Sequence, residues 1–294
     1  MDSTEQKIKE TIAELKEWLD KPTRKEEDYQ KRIDEINEEL KSEKLKKSIR
    51  LQFEYLDNWY SNNFVYELLT ANHTTYKVDA CANGYHNLVI SDKLADIYPN
   101  NPPKLAFDKA TYWIANCLSQ KWYKESEILI EIFNKGLDTK FLDGGWNIKI
   151  ASWFILEIAN NGFQKSIDLS VYNYPEDMGV YQKALDNWNT EDLALLDNIV
   201  SSLCDFHLNE ASHGDLSDSA GKKDSMFLQF SSTKWFVYTF EILAWLSIRE
   251  KTGLRNTEKF SHPLMNIELN KLAKENSSMR KNELFEEVMT RLNS

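Results

Sequence analysis

Glycine and proline are scarce in this chain: nine and six among 294 residues. Sheet-rich folds and long connecting loops draw on both for their turns, so the shortage argues for helices. Cysteine is scarcer still. Cys81, Cys117 and Cys204 are odd in number and far apart, which excludes a disulfide framework and makes a reducing, cytoplasmic setting the expectation. The opening MDSTEQKIKE is charged and has no apolar core, so no secretory signal is expected. No glycine-rich phosphate loop, GxSxG elbow, HExxH or DxDxDG occurs, and the expectation is a protein that is not an enzyme and carries no cofactor. A long uncharged run is also missing. The most apolar stretch, Lys234–Lys251, contains Glu241 and ends in Arg249-Glu250-Lys251. A membrane span needs about 20 largely uncharged residues, so this stretch reads as a helix buried in a core.

Charge of one sign is in surplus. The formal charge is −11, and it is unevenly spread: residues 54–220 carry 11 Lys/Arg against 24 Asp/Glu, whereas residues 1–53 are nearly balanced at 13 against 14. An acidic middle repels phosphate backbones, which argues against direct nucleic-acid binding and for a basic protein partner. Plain solubility would give the same surplus.

Periodicity fills in the rest. Ile8, Ile12, Leu15, Trp18 and Leu19 share one face of a helix over Ser3–Asp20 that Pro22 stops, and Tyr29, Ile33, Ile36 and Leu40 mark a second. The two are expected to form a charged hairpin, residues 1–60, packed on a main helical domain, residues 61–294. Further helices are expected from Leu45 to Tyr60 with a pause at Ser61-Asn62-Asn63, over Lys77–Tyr98, over Lys104–Lys121, and over Trp122–Lys135 with Gly136 as its C-cap. Others are expected over Trp146–Asn160, Met178–Asp186, from an N-cap at Thr190 to Leu208, near Ile267–Glu275, and at the C-terminus. Helix pairs do not repeat at a fixed period, so a solenoid is not indicated. The expected class is all-α: an irregular multi-helix bundle around the aromatic helix at 234–251, capped by Ser231, Ser232 or Thr233 and closed by Gly253.

Three groups of residues could carry chemistry. Cys204, His207, His213 and Asp215 lie close in sequence, but one cysteine and two histidines six apart do not match common zinc-ligand spacings, and no metal site is expected. Cys204 falls on the apolar stripe of its helix, where a buried structural thiol is the usual occupant. Glu241, amid Phe240, Ile242, Leu243 and Trp245, calls for an Arg, Lys, Trp or Tyr partner in the core. The polar stretch 209–225 is long for a connection inside a compact domain, and such stretches tend to be functional or disordered.

Several short motifs carry a resemblance. Asn187-Trp188 precedes the helix ending Cys204-Asp205-Phe206-His207-Leu208. Trp235 and Phe240-Glu241-Ile242-Leu243-Ala244-Trp245 form the late aromatic helix, and His262-Pro263-Leu264-Met265 follows. With the charged N-terminal helix pair, this layout resembles the all-helical immunity proteins of bacterial polymorphic toxin systems, of the PoNe-immunity type. The motif detail covers about 60 residues, and Thr233-Lys234-Trp235 stands where those families carry Gly-Tyr-Trp. The resemblance implies an antidote that binds one cognate toxin effector, with many such toxins being nucleases with basic grooves. The acidic residues expected to meet that partner are Asp186, Glu191, Asp192, Asp197, Asp205, Glu210, Asp215 and Asp218. No membrane contact is expected, a homodimer is compatible with this reading, and a helical scaffold or adaptor is the alternative.

Overall fold

The computed structural model describes residues 3–139, 141–143, 149–213, 228–275 and 278–294. Its helices, in chain order, are α1 (Ser3–Asp20), α2 (Glu26–Leu40), α3 (Ile49–Thr70), α4 (Lys77–Ile97), α5 (Phe107–Ser119) and α6 (Tyr123–Leu137), followed by α7 (Ile150–Gly162), α8 (Val180–Asp186), α9 (Leu193–Glu210), α10 (Phe240–Lys251) and α11 (Glu283–Asn293). The described strands are two residues each, β1 (Leu105–Ala106) and β2 (Leu142–Asp143), paired in parallel. The protein is an all-α multi-helix bundle, as its composition implies.

α10 stands at the centre and packs against α5 and α7. Every residue from Lys234 to Arg249 is buried, so the all-round apolar pattern reflects a post enclosed on every side. The helix is shorter than its apolar run. Residues Thr233–Trp235 form a single 3-10 turn, and α10 begins only at Phe240. Asn270 explains the break. Its Oδ1 accepts the Thr239 N–H at 3.0 Å, and its Nδ2 donates to the carbonyls of Val237 (2.8 Å) and Leu264 (2.9 Å). Backbone groups that a continuous helix would pair internally are paired by this side chain instead. Ser231, Ser232 and Thr233 therefore do not cap α10. At its other end Gly253, at φ 85°, takes the expected left-handed position, and the Leu254 N–H bonds back to Arg249 O at 2.9 Å.

α3 and α4 pack side by side, and α1 and α2 lie against α3. The pause expected at Ser61-Asn62-Asn63 does not occur. α3 runs through it, so a division after residue 60 would cut this helix in its middle. The amides of Asn62 and Asn63 donate to the carbonyls one turn back, at 2.7 and 2.8 Å, which lets these residues sit inside a helix they usually end.

Two glycines mark close approaches. A Cβ on Gly84 would lie 2.3 Å from the Trp113 ring, and one on Gly162 would lie 2.4 Å from Ile248 Cγ2. The first lets α5 pack flush on α4, the second α10 on α7. Gly136 is inside the last turn of α6 and packs against Phe141, rather than capping the helix. Asp192, and not Thr190, caps α9, accepting the N–H groups of Ala194 (2.9 Å) and Leu195 (3.1 Å). The stretch near Ile267–Glu275 is not an α-helix but holds one 3-10 turn, Glu268–Asn270, because Asn270 and the Ala273 N–H are committed to other elements. Trp146, Asp215 and Asp218 lie outside the described residues.

Candidate functional site

The expected acidic face divides under inspection. Asp186 is exposed and accepts a bond from Gln182 one turn away, at 2.8 Å. Glu191 and Asp192 are exposed at the start of α9. Asp197 accepts the Ser261 N–H at 2.8 Å, and Asp205 lies 3.3 Å from His262 Nε2 with its side chain 71% exposed. These two carboxylates fasten the 261–262 turn to α9. Glu210 departs from the expectation: it is buried, at 8% exposure, because the last turn of α9 tucks beneath the segment at 228–230. Among the described residues, no lysine or arginine is ion-paired with Asp186, Glu191 or Asp192.

Residues 211–212 and 230 meet. Ala211 and Phe230 form a parallel bridge, with Phe230 N bonded to Glu210 O at 3.3 Å and Ser212 N to Phe230 O at 3.2 Å. α1 braces both sides of this neck. Lys7 Nζ donates to Ala211 O at 2.9 Å, His213 Nε2 lies 2.8 Å from Glu14, and Thr233 Oγ1 donates to the same carboxylate at 3.0 Å.

Directly beneath the neck lies the partner of Glu241. It is a histidine, not the Arg, Lys, Trp or Tyr expected. His207 Nδ1 sits 2.8 Å from Glu241 Oε1, His207 Nε2 sits 2.7 Å from Trp235 O, and Phe230 stacks on the ring at 3.8 Å. Both side chains are fully buried. Cys204, also buried, has its thiol pushed up by burial, then by the nearby Glu241 carboxylate, so it is inert rather than nucleophilic. Among the described residues no three His, Cys, Asp or Glu side chains gather as metal ligands, and no helix is long and apolar enough to cross a membrane.

A second polar cluster has no precursor in the sequence reading. A cavity of about 420 Å³ opens between α3, α5 and the 231–235 segment, with Asp57, Lys234 and Lys109 in its walls. Lys234 Nζ bonds Asn58 Oδ1 at 3.1 Å and lies 3.9 Å from Asp57 Oδ2, and both side chains are nearly closed to solvent, at 7% and 5%. Asp57 also accepts Trp113 Nε1 at 3.0 Å and Ser61 Oγ at 3.1 Å. Burial pushes the Lys234 ammonium down, against the pull of Asp57, and pushes the Asp57 carboxyl up, against Lys234 and the two donors. Both directions favour the uncharged forms. At the rim, burial raises Glu54, but its bond and charge contact with Lys109, helped by Arg50, outweigh that and hold it below the usual carboxylate range. The signal available in sequence was the row Phe53, Asp57, Ser61 on one face of α3, a carboxylate set where an apolar residue belongs. Lys234 gave a weaker one, a lone cation leading an apolar run.

Comparison with protein-family models, with curated proteins and with solved structures yields no match for this chain.

Proposed function

We propose that the protein is an immunity protein that binds a cognate bacterial toxin and covers its basic active-site surface, which on a nuclease is the nucleic-acid groove. The observation that carries this reading is the set of exposed carboxylates Asp186, Glu191, Asp192 and Asp205 along α8 and α9, three of them with no lysine or arginine ion-paired to them among the described residues. Carboxylates left without counter-charge raise the local negative potential and steer a basic partner, chiefly by raising its association rate. The all-α architecture and the resemblance of the short motifs to PoNe-immunity proteins supply the second support. Asp197, half-buried, and Glu210, buried, act within the fold and are not part of the docking set, whereas Asp205 contacts the same turn through His262 with its side chain still 71% exposed.

The test is a triple variant, Asp186→Lys, Glu191→Lys and Asp205→Lys, which leaves the Asp192 cap intact. The partner is the toxin domain encoded beside this protein, and the readouts are rescue of growth on co-expression and association rate at several salt concentrations. The expected result is an association rate lowered by roughly tenfold or more at low salt, with the difference shrinking as the Debye length falls below about 8 Å. Unchanged association at every salt concentration removes this face from the proposal.

A further inference from the structure

The cavity around Lys234 goes beyond a docking surface. Three features distinguish it from an ordinary buried ion pair. The ammonium and carboxylate are 3.9 Å apart, beyond hydrogen-bond reach, and each is held by other groups, Asn58 on one side and Trp113 and Ser61 on the other. The ammonium has three hydrogens and, among the described residues, one bonded acceptor. The pair also lines an opening to solvent, at whose rim Tyr55 is 47% exposed. A buried pair that only stabilises the fold closes its contact and fills the space around it.

We propose that Lys234 is a nucleophilic amine and that the cavity admits a small uncharged aldehyde, which condenses with Nζ to a Schiff base while Asp57 handles the proton of the departing water. Desolvation of a lysine in an aromatic pocket is a recognised way to keep its amine free at neutral pH. Tyr112, Trp113 and Trp235 line the interior with Tyr55 at the mouth, and these flat faces suit a planar, aromatic aldehyde. The charged groups facing Nζ select against an anion. α3 contributes Glu54 and Asp57, α5 contributes Asp108 and Lys109, and Lys149, at the start of α7, is bonded to Asp108 at 3.2 Å and to Ser231 at 3.3 Å. With Lys109 bound to Glu54 and Lys149 to Asp108, neither rim cation is left to receive a carboxylate.

The step balances without any oxidant or reductant. The ammonium of Lys234 gives one proton to solvent in the cavity. The free amine pair then forms an N–C bond to the carbonyl carbon, the C=O pair moves to oxygen, and one of nitrogen's two protons passes to that oxygen to give a neutral carbinolamine with a single N–H. That hydroxyl leaves as water with a proton from the Asp57 carboxyl, and nitrogen's remaining proton returns to the carboxylate, leaving C=N. The 3.9 Å separation suits this sequence. It leaves room for the carbinolamine oxygen, one carbon removed from Nζ, to reach Asp57.

This activity is independent of the toxin-binding reading, and its test needs no partner. The full chain is incubated at pH 7 with 4-hydroxybenzaldehyde and cyanoborohydride, and the reduced adduct is mapped by mass spectrometry over time. Each unit by which burial lowers an amine's pKa raises its free fraction at neutral pH about tenfold. The expected result is labelling of Lys234 several-fold faster than exposed lysines such as Lys41, with glyoxylate reacting more slowly than the uncharged aldehyde. Lys234→Arg, with unchanged circular dichroism, loses the fast adduct. Asp57→Asn slows it while keeping the same site. Labelling of Lys234 at or below the rate of exposed lysines overturns the proposal, as does fast labelling that survives in Lys234→Arg or, should that variant unfold, in Lys234→Met. An Asp57→Asn protein that reacts at the original rate overturns the part assigned to the carboxyl.

Discussion

His207 and Glu241 form a buried pair that holds two protons and sums to zero charge. Trp235 O carries no hydrogen, so the His207 Nε2 beside it at 2.7 Å must carry one. The 2.8 Å contact between Nδ1 and Glu241 Oε1 needs one more, on either atom. A carboxylate in an aromatic core is thereby made neutral as a unit, which explains how α10 tolerates Glu241 at complete burial.

Glu241→Ala therefore leaves the imidazole facing an apolar gap, and the expected cost is about 3–5 kcal/mol. Glu241→Gln keeps the shape and can donate to Nδ1 of a neutral His207, so it costs less. Urea unfolding of the two variants, compared with the original protein, gives the order. An Ala variant as stable as the Gln variant would show that the pair is not what holds this position.

His86 predicts a pH dependence. It is buried, stacked on Phe285 at 4.1 Å, and neither ring nitrogen has a hydrogen-bond partner among the described residues. Burial lowers its pKa to about 3 from the ordinary 6.5. Between those values the unfolded chain binds a proton that the folded chain refuses, so stability falls as pH falls, by up to about 1.4 kcal/mol per pH unit from this residue. Above about pH 6.5 its contribution is constant. Unfolding free energies at pH 4.5, 5.5 and 7, measured for the protein and for His86→Phe, isolate the histidine from the carboxylates. The variant is expected to lose a large part of the slope. Parallel slopes would refute the assignment.

Gly162→Ala places a methyl group where Ile248 already stands, and the expected cost is about 1–3 kcal/mol from overpacking. Ile248→Ala alone opens a gap, at about 2–5 kcal/mol. Combined, the two should cost clearly less than their sum, since one relieves the other. Simple additivity in a double-mutant cycle would mean that α7 and α10 do not meet there.

Asn270→Ala strips the break before α10 of three bonds and leaves buried backbone groups of Val237, Thr239 and Leu264 unpaired. Each unsatisfied group costs about 1–3 kcal/mol, so the variant should lose at least about 3 kcal/mol. Asn270→Asp keeps the acceptor but cannot donate, and should fall between the two. Hydrogen exchange at the Thr239 amide reports the same loss locally.

Local features were legible in the sequence and long-range ones were not. α1 was readable to its end residues because the apolar stripe, the early serine and Pro22 all agree. The pause at Ser61-Asn62-Asn63 misled because asparagine ends helices more often than it continues them, whereas here both asparagine amides bond back to carbonyls of α3 itself. The extent of α10 depends on Asn270, and the neutrality of Glu241 on His207, each more than thirty positions away. The Lys234 cavity draws on α3, α5 and the 231–235 segment, so no spacing in any one stretch announces it. Charge alone placed carboxylates on α8 and α9, but which of them cap, clamp or face solvent is decided by tertiary contacts.

The bridge between Ala211 and Phe230 bears on how this protein could diversify. Ala211 and Phe230 stand at neighbouring positions on the bundle, and α1 braces that junction through Lys7 and Glu14. Doubling the length of a flexible insertion costs only about 0.6 kcal/mol in closure entropy. With Ala211 and Phe230 held in this way, a connection of another length can join them while α9, α10 and the His207–Glu241 pair keep their places. The junction thus fixes the bundle independently of the length of chain that joins its two sides.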